Sequence, residues 1–113
     1  MINVIGLGYI GLPTALMLSS HDVEVVGTDY NAKLVETLNK GKTTFKEDGL
    51  DELFKKAVSK GITFTTEYQV TDTYIVSVPT PYDDFSKKVD ACYVVDAVKT
   101  IMDVAPKGAV VVI

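Results

Sequence analysis

The stretch VIGLGYIGLPTA, residues 4–15, decides the fold. Its glycines Gly6, Gly8 and Gly11 follow the pattern G-x-G-x-x-G, between a short apolar run and an apolar segment with helical periodicity. Glycine weakens helices and strands alike, so three of them at one strand-to-helix turn indicate that bare backbone is needed there. In a parallel α/β sheet the first glycine allows a tight turn, the second allows a pyrophosphate to approach closely, and the third allows the helix to pack tightly on the strand.

Composition excludes several classes of function. The chain has 113 residues, which suits one domain, and 47% of them are hydrophobic, enough for a packed core. The net charge is −4 and no basic cluster is present, so a nucleic acid or an anionic membrane is not expected as a partner. A single cysteine and the lack of a long apolar run predict a cytoplasmic protein without disulfides or membrane spans.

Strand-like and helix-like segments alternate along the whole chain, which predicts a mostly parallel α/β sheet with helices on both faces, in three layers. We expect the strand order 3-2-1-4-5. The predicted strands are Ile2–Gly6, Val23–Asp29, Ile62–Thr65, Thr73–Val78 and a buried Ala109–Ile113. The predicted helices are Ile10–Ser20, one capped by Asn31 and ended by Gly41, one from Leu50 to Gly61, and one capped by Asp90 with Val94, Val98, Ile101 and Met102 facing inward.

The sequence stops at the carboxyl end of its fifth predicted strand, where ligand-binding loops of such sheets usually begin. We therefore expect residues 1–113 to be one doubly wound, Rossmann-type domain from a longer chain, truncated after the fifth strand. Truncation there predicts an exposed apolar edge on the sheet.

Asp29 stands at the end of the second predicted strand, 18 residues beyond Gly11. An acid at this place accepts hydrogen bonds from the adenosine ribose of a dinucleotide, while free amides near Tyr9 and Ile10 and the positive helix end hold the phosphates. Two other interpretations stay open: a glycine turn that only packs a helix, and an aspartate that only caps the next helix. A 2′-phosphate ~4 Å from the carboxylate would be repelled by roughly 4 kcal/mol per charge, which favours NAD over NADP.

A second motif, SVPTP, follows the fourth predicted strand and belongs to the same sheet edge as the glycine turn. Pro79 and Pro81 stiffen the loop and remove backbone donors. The hydroxyl of Thr80 is then expected near the ribose or nicotinamide half of a dinucleotide. An ordinary proline-rich turn is the alternative.

These motifs together resemble the beginning of the UDP-glucose/GDP-mannose dehydrogenase family. The resemblance rests on VIGLGYIGLPTA, the acid at Asp29, SVPTP and the later VDACYVVDAV, and it spans essentially the whole chain. It is strongest to the UDP-N-acetyl-D-mannosamine dehydrogenase branch. In that family the amino-terminal domain binds NAD, and two hydride transfers oxidise the sugar C6 alcohol to a carboxylate through a cysteine-bound thiohemiacetal and thioester.

The resemblance implies a set of cofactor-binding residues and a division of labour. Carried over by position, the cofactor-binding residues are Gly6, Gly8, Tyr9, Ile10, Gly11, Asp29, Val78, Pro79 and Thr80. The nucleophilic cysteine, the catalytic lysine and the nucleotide-sugar contacts are expected beyond residue 113, as are the contacts of a homodimer. The resemblance thus implies a nucleotide-sugar 6-dehydrogenase that serves surface polysaccharide synthesis.

The chain departs from the family pattern at one turn and places a basic residue slightly off its usual position. Glu47-Asp48-Gly49-Leu50 stands where many members have Glu-Pro-Gly-Leu, and Lys33 is near but not at the position of a basic residue by the adenosine ribose. We interpret Lys33 first as a solvated helix residue.

No metal site is predicted, and no catalytic residue is expected within residues 1–113. Cys92 is expected to be a helix cysteine without catalytic function, because no histidine or lysine is spaced to activate it. Two other functions remain open: a non-catalytic nucleotide-sensing module, and another NAD-dependent enzyme such as a β-hydroxyacid dehydrogenase.

Overall fold

A five-stranded parallel sheet forms the centre of the structure, a computed structural model that describes residues 1–8, 10–43, 48–78, 82–83, 88–89 and 92–112. Its strands lie in the order β3-β2-β1-β4-β7, so the predicted order 3-2-1-4-5 is confirmed for the main sheet. These strands are β1 (Ile2–Ile5), β2 (Val25–Thr28), β3 (Thr63–Thr65), β4 (Thr73–Val76) and β7 (Val110–Val112). The helices are α1 (Gly11–Ser20), α2 (Ala32–Asn39), α3 (Leu50–Ser59) and α4 (Cys92–Val104).

A small antiparallel pair, which the sequence did not predict, stands apart from the main sheet. It consists of β5 (Tyr82–Asp83) and β6 (Lys88–Val89). Asp90, the predicted cap of the last helix, lies outside the described residues.

Two hydrophobic cores cover the two faces of the sheet, because successive residues of a strand point to opposite sides. Val4 lies in the larger core with side chains of α1, α2 and α3. Its neighbour Ile5 lies in the smaller core with Tyr74 and the α4 residues Ala97 and Ile101. The arrangement is the expected three-layer α/β fold of Rossmann type.

The last helix buries a face different from the predicted one. Ile101 is buried as expected, but Met102 is 75% exposed. Ala97 and Ile101 are the two buried residues that the structure describes on α4. The spacing of Ala97, Ile101, Val104 and Ala105 follows one helical stripe, and Met102 lies a further 100° around the helix. Val98 is partly exposed, and the side chain of Val94 is not among those that the structure describes.

The prediction of a buried fifth strand is wrong. Val110, Val111 and Val112 are 56, 37 and 50% exposed. The reason is positional: among the described strands, β7 lies at the edge of the sheet and pairs with β4 alone, and α4 packs over β4. An exposed apolar edge, which was also expected, is therefore present.

Three helices end in the same hydrogen-bonded pattern, in which a residue with positive φ follows the last turn. Gly41 and Gly61 have this role after α2 and α3, with φ of 85° and 98°, and Gly41 thus ends α2 as predicted. After α1 the same place is taken by Asp22 with φ of 67°, the one described non-glycine residue in this conformation. The Asp22 carboxylate pairs with Lys60 Nζ at 2.7 Å, which ties the carboxyl ends of α1 and α3 together.

Replacing Lys60 with alanine is expected to raise the pKa of Asp22 toward its ordinary value. The hydrogen bond from Lys60, and then its charge, hold that pKa low in the folded chain. A lowered folded pKa gives stability that is present above the unfolded pKa and is lost as the pH falls through the folded one. An NMR titration of the Asp22 carboxyl carbon in both proteins measures the shift. An unchanged pKa in Lys60→Ala would show that the pair does not form in solution.

Candidate functional site

The glycine turn is built by contacts of backbone against backbone. Gly6 has φ of 95°, and a Cβ placed there would stand 2.6 Å from the carbonyl oxygen of Ser77. A Cβ on Gly11 would stand 1.7 Å from the carbonyl oxygen of Gly6. Both distances are far below any real contact, so these two positions require glycine for the turn and for helix packing, as predicted.

Gly8 differs from its two neighbours because a Cβ there would meet no heavy atom within 4 Å. The glycine is therefore not needed for the packing of the protein itself. The missing side chain leaves open space over the turn, which the phosphate of a ligand can occupy.

Helix α1 begins at this open space without a side-chain cap. Its N-cap is Ile10, whose side chain makes no capping hydrogen bond and is 74% exposed. The first turn also carries no acidic residue. The partial positive charge of the helix end is thus directed to the cleft above the turn, where it favours an anion.

Asp29 connects the glycine turn to the start of α2. Its Oδ2 accepts a hydrogen bond from the Leu7 amide at 2.9 Å, and its Oδ1 accepts one from the Asn31 amide at 2.9 Å. Asn31 in turn caps α2, with Oδ1 accepting from the Leu34 amide at 3.2 Å, as predicted. A carboxylate has about four lone-pair sites, so about two remain for further donors such as ribose hydroxyls.

A cleft of about 490 Å³ contains most of the predicted residues that the structure describes. We call it the glycine-turn cleft. It is lined by Gly6, Leu7, Gly8, Ile10, Asp29, Tyr30, Asn31, Leu34, Ser77 and Val78. Gly11 lies beneath it as a packing residue, while Tyr9, Pro79 and Thr80 are predicted site residues outside the described part of the chain.

Several lining residues were not predicted from the sequence. Tyr30 and Asn31 follow Asp29 directly and precede α2, and Leu34 lies on the first turn of α2, so the start of this helix brings all three to the cleft. Ser77 precedes Val78 in the quoted SVPTP motif. Lys33 is exposed on α2, in agreement with its interpretation as a solvated residue.

Tyr68 is a further unpredicted residue near Asp29. Burial, and then the charges of Asp29 and Asp96, raise the pKa of its hydroxyl above the ordinary value of a tyrosine. Its ring lines two smaller cavities that adjoin the glycine-turn cleft.

Across the described ranges, no three His, Cys, Asp or Glu residues come together as a metal site would require. No helix in that part of the chain has the length and hydropathy to cross a bilayer.

Comparison with protein families gives a match over the whole sequence. Residues 1–113 match the NAD binding domain of the UDP-glucose/GDP-mannose dehydrogenase family. The chain belongs to this family. Family membership confirms the resemblance seen in the motifs and gives NAD as the cofactor of the matched domain.

Individual relatives agree with the family match. A UDP-N-acetyl-D-mannosamine dehydrogenase of Methanococcus vannielii is 46% identical over 99% of this chain and 27% of its own length. An NDP-N-acetyl-D-galactosaminuronic acid dehydrogenase of Ralstonia nicotianae is 43% identical over 99% of this chain and 26% of its own. The chain thus spans about a quarter of these relatives.

A solved structure shows the same fold. The UDP-N-acetyl-mannosamine dehydrogenase of Staphylococcus aureus superposes with a TM-score of 0.91 at 36% identity, covering 97% of this chain and 27% of that one.

Gly8 and Gly11 are expected to respond differently to a methyl group. Gly8→Ala should keep the stability of the parent protein, since its Cβ meets nothing, but weaken NAD binding at least ~10-fold by occupying the phosphate space. Gly11→Ala should lose about 2 kcal/mol or more of stability through overpacking against the Gly6 carbonyl. Denaturant unfolding and calorimetric NAD titration measure both effects. Parental NAD affinity in Gly8→Ala would contradict a phosphate site at this turn.

Replacing Asp29 with alanine is expected to weaken NAD binding and to narrow the preference for NAD over NADP. Because hydrogen bonds to a charged group are lost, the affinity for NAD is expected to fall ~10-fold or more. For NADP the same change also removes a repulsive charge, which offsets the loss. Asp103→Ala, which removes an exposed acid from α4, is the matched charge control. A folded Asp29→Ala variant with unchanged affinity for both cofactors would remove Asp29 from the site.

Proposed function

We propose that residues 1–113 bind NAD for a nucleotide-sugar 6-dehydrogenase. In this proposal the turn at Gly6, Gly8, Tyr9, Ile10 and Gly11 holds the pyrophosphate, and Asp29 accepts hydrogen bonds from the adenosine ribose. Val78, Pro79 and Thr80 border the ribose next to the nicotinamide. The open space at Gly8, between two glycines that packing requires, is the observation that carries the proposal.

The cofactor fits the residues present for electrostatic reasons as well as for space. A diphosphate at the turn would meet the uncapped positive end of α1. The neighbouring Asp29 carboxylate would repel a further phosphate on the ribose, which supports NAD in preference to NADP. Asp29 already aligns the Leu7 and Asn31 amides, so the ribose would meet an acceptor whose orientation is fixed before binding.

The proposed reaction oxidises the C6 alcohol of a UDP-sugar to a uronic acid, with UDP-N-acetylmannosamine as the favoured substrate. The names of the relatives from Methanococcus vannielii and Staphylococcus aureus support this sugar. Oxidation of an alcohol to an acid removes two hydrides and takes up one water, so NAD, when bound, would supply the hydride acceptor twice, with one NAD for each step. The residues of this chain bind and orient the cofactor. Family membership favours this function over a β-hydroxyacid dehydrogenase or a nucleotide sensor.

We further propose that the catalytic nucleophile, the nucleotide-sugar contacts and the contacts of a homodimer come from sequence outside residues 1–113. The support is that the chain spans about a quarter of the length of its relatives, and the names of those longer proteins state a complete dehydrogenase activity. Cys92, the single cysteine, is the first residue of α4, and we assign it no catalytic role.

The chain of residues 1–113 is expected to bind NAD but to produce no NADH from UDP-N-acetylmannosamine or another UDP-sugar. Binding needs the turn and Asp29, whereas oxidation also needs a nucleophile and a sugar site. Calorimetry with NAD and the absorbance of NADH after addition of the sugars test both statements on one preparation. NADH formation would overturn the assignment of the chemistry to other segments, and failure of the folded chain to bind NAD would overturn the cofactor site.

A further inference from the structure

The segment between β3 and β4, residues 66–72, holds one tyrosine in a fixed place. We call it the 66–72 crossover. It contains no helix, although a crossover between parallel strands usually needs a dozen or more residues and a helix. Its backbone is held by side chains from the sheet beneath it.

Both peptide neighbours of Tyr68 are bound by fully buried polar residues. Thr28 Oγ1 donates to the Glu67 carbonyl at 3.1 Å, and the Gln69 amide donates to Asn3 Oδ1 at 3.0 Å. Asn3 and Thr28 are 0% exposed, and Asn3 Nδ2 also donates to Thr28 Oγ1 at 2.8 Å. Two adjacent strands thus clamp the backbone on either side of Tyr68.

The ring of Tyr68 has one side in the core and another at a cavity. It is partly buried against the smaller core, which contains Ile5 and Ala97. It also lines a cavity of about 340 Å³, which we call the Tyr68 pocket, together with Tyr30, Val78, Asp96, Ala97 and Thr100. Tyr74 differs from Tyr68 because it is 0% exposed, and its hydroxyl contacts the same crossover. We therefore interpret Tyr74 as a structural residue.

The Tyr68 pocket continues from the glycine-turn cleft. A space of about 40 Å³ lies between them and shares Gly6 and Asp29 with the cleft and Tyr68 with the pocket. Tyr30 and Val78 line all three. A molecule with its phosphates at Gly8 and its ribose at Asp29 would therefore place its next group at the entrance of the Tyr68 pocket.

We infer that Tyr68 is a cofactor-contacting residue whose ring forms one wall of the site for the adenine of NAD. The inference rests on the proposed function, because it takes the phosphate and ribose positions from there. A flat aromatic base packs favourably on an aromatic side chain, with a typical gain that changes affinity ~5- to 150-fold. The clamp by Asn3 and Thr28 keeps the ring in place before the base arrives, which lowers the entropic cost of binding.

Three variants of residues 1–113 test the contact with three probes: NAD, AMP and nicotinamide mononucleotide. Tyr68→Ala is expected to weaken NAD and AMP by the same factor, roughly 10-fold, and to leave nicotinamide mononucleotide unchanged. Tyr68→Phe keeps the ring and should stay within about 2-fold of the parent protein. Val70→Ala, at a 68% exposed position of the same crossover, is the matched control and should bind all three probes normally.

A second measurement does not depend on the folding of any variant. In the unmodified protein bound to AMP, nuclear Overhauser contacts are expected between adenine protons and the ring protons of Tyr68. Absence of these contacts, or normal AMP affinity in a folded Tyr68→Ala variant, overturns the inference while NAD binding by the parent still supports the proposed function. A loss in Tyr68→Phe as large as that in Tyr68→Ala also overturns it. If the parent protein binds no NAD, both proposals fail together.

Discussion

The backbone of Gly11 lies directly against the carbonyl group of Gly6, where a Cβ would be only 1.7 Å from the oxygen. This contact fixes how closely the first turn of α1 approaches the carboxyl end of β1. Because α1 contacts both the sheet and α3, the same contact also sets the position of the larger core. The open space at Gly8 lies between the two glycines that this close packing requires. Packing and the proposed phosphate site therefore share one turn.

Asp29 adds a polar link to this backbone contact. One carboxylate oxygen holds the amide of Leu7 in the glycine turn, and the other holds the amide at the start of α2. The N-cap of α2 is Asn31, so Asp29 supports the start of the helix without capping it, and its two hydrogen bonds leave lone pairs for a ligand. A consequence is that changes at Asp29 affect the shape of the turn as well as its charge, which is why a stability measurement belongs beside every affinity measured at this position.

Three features were predicted correctly from the sequence. The cap at Asn31 and the turn at Gly41 follow from local patterns, and the strand order follows from the handedness of parallel crossovers. Burial on α4 and β7 was predicted wrongly at Met102 and at the last strand, because apolar residues indicate a preference for burial but not which element covers them. The bond between Asn3 and Gln69 joins residues 66 positions apart, and no local pattern indicates it. Tyr9, Pro79 and Thr80 remain predictions.

The short connection between β3 and β4 explains why a pocket exists on the α4 side of the sheet. A helix in this crossover would cover β2 and β1 and would fill that face with its own side chains. Here the sheet is covered instead by the helix-free 66–72 crossover, and its backbone satisfies the polar groups of Asn3 and Thr28, which would be costly to bury alone. Helix α4 packs on β4, so space remains between α4 and the crossover. Buried hydrogen bonds thus hold a helix-free segment on this face of the sheet, and an aromatic-lined cavity remains beside Asp29.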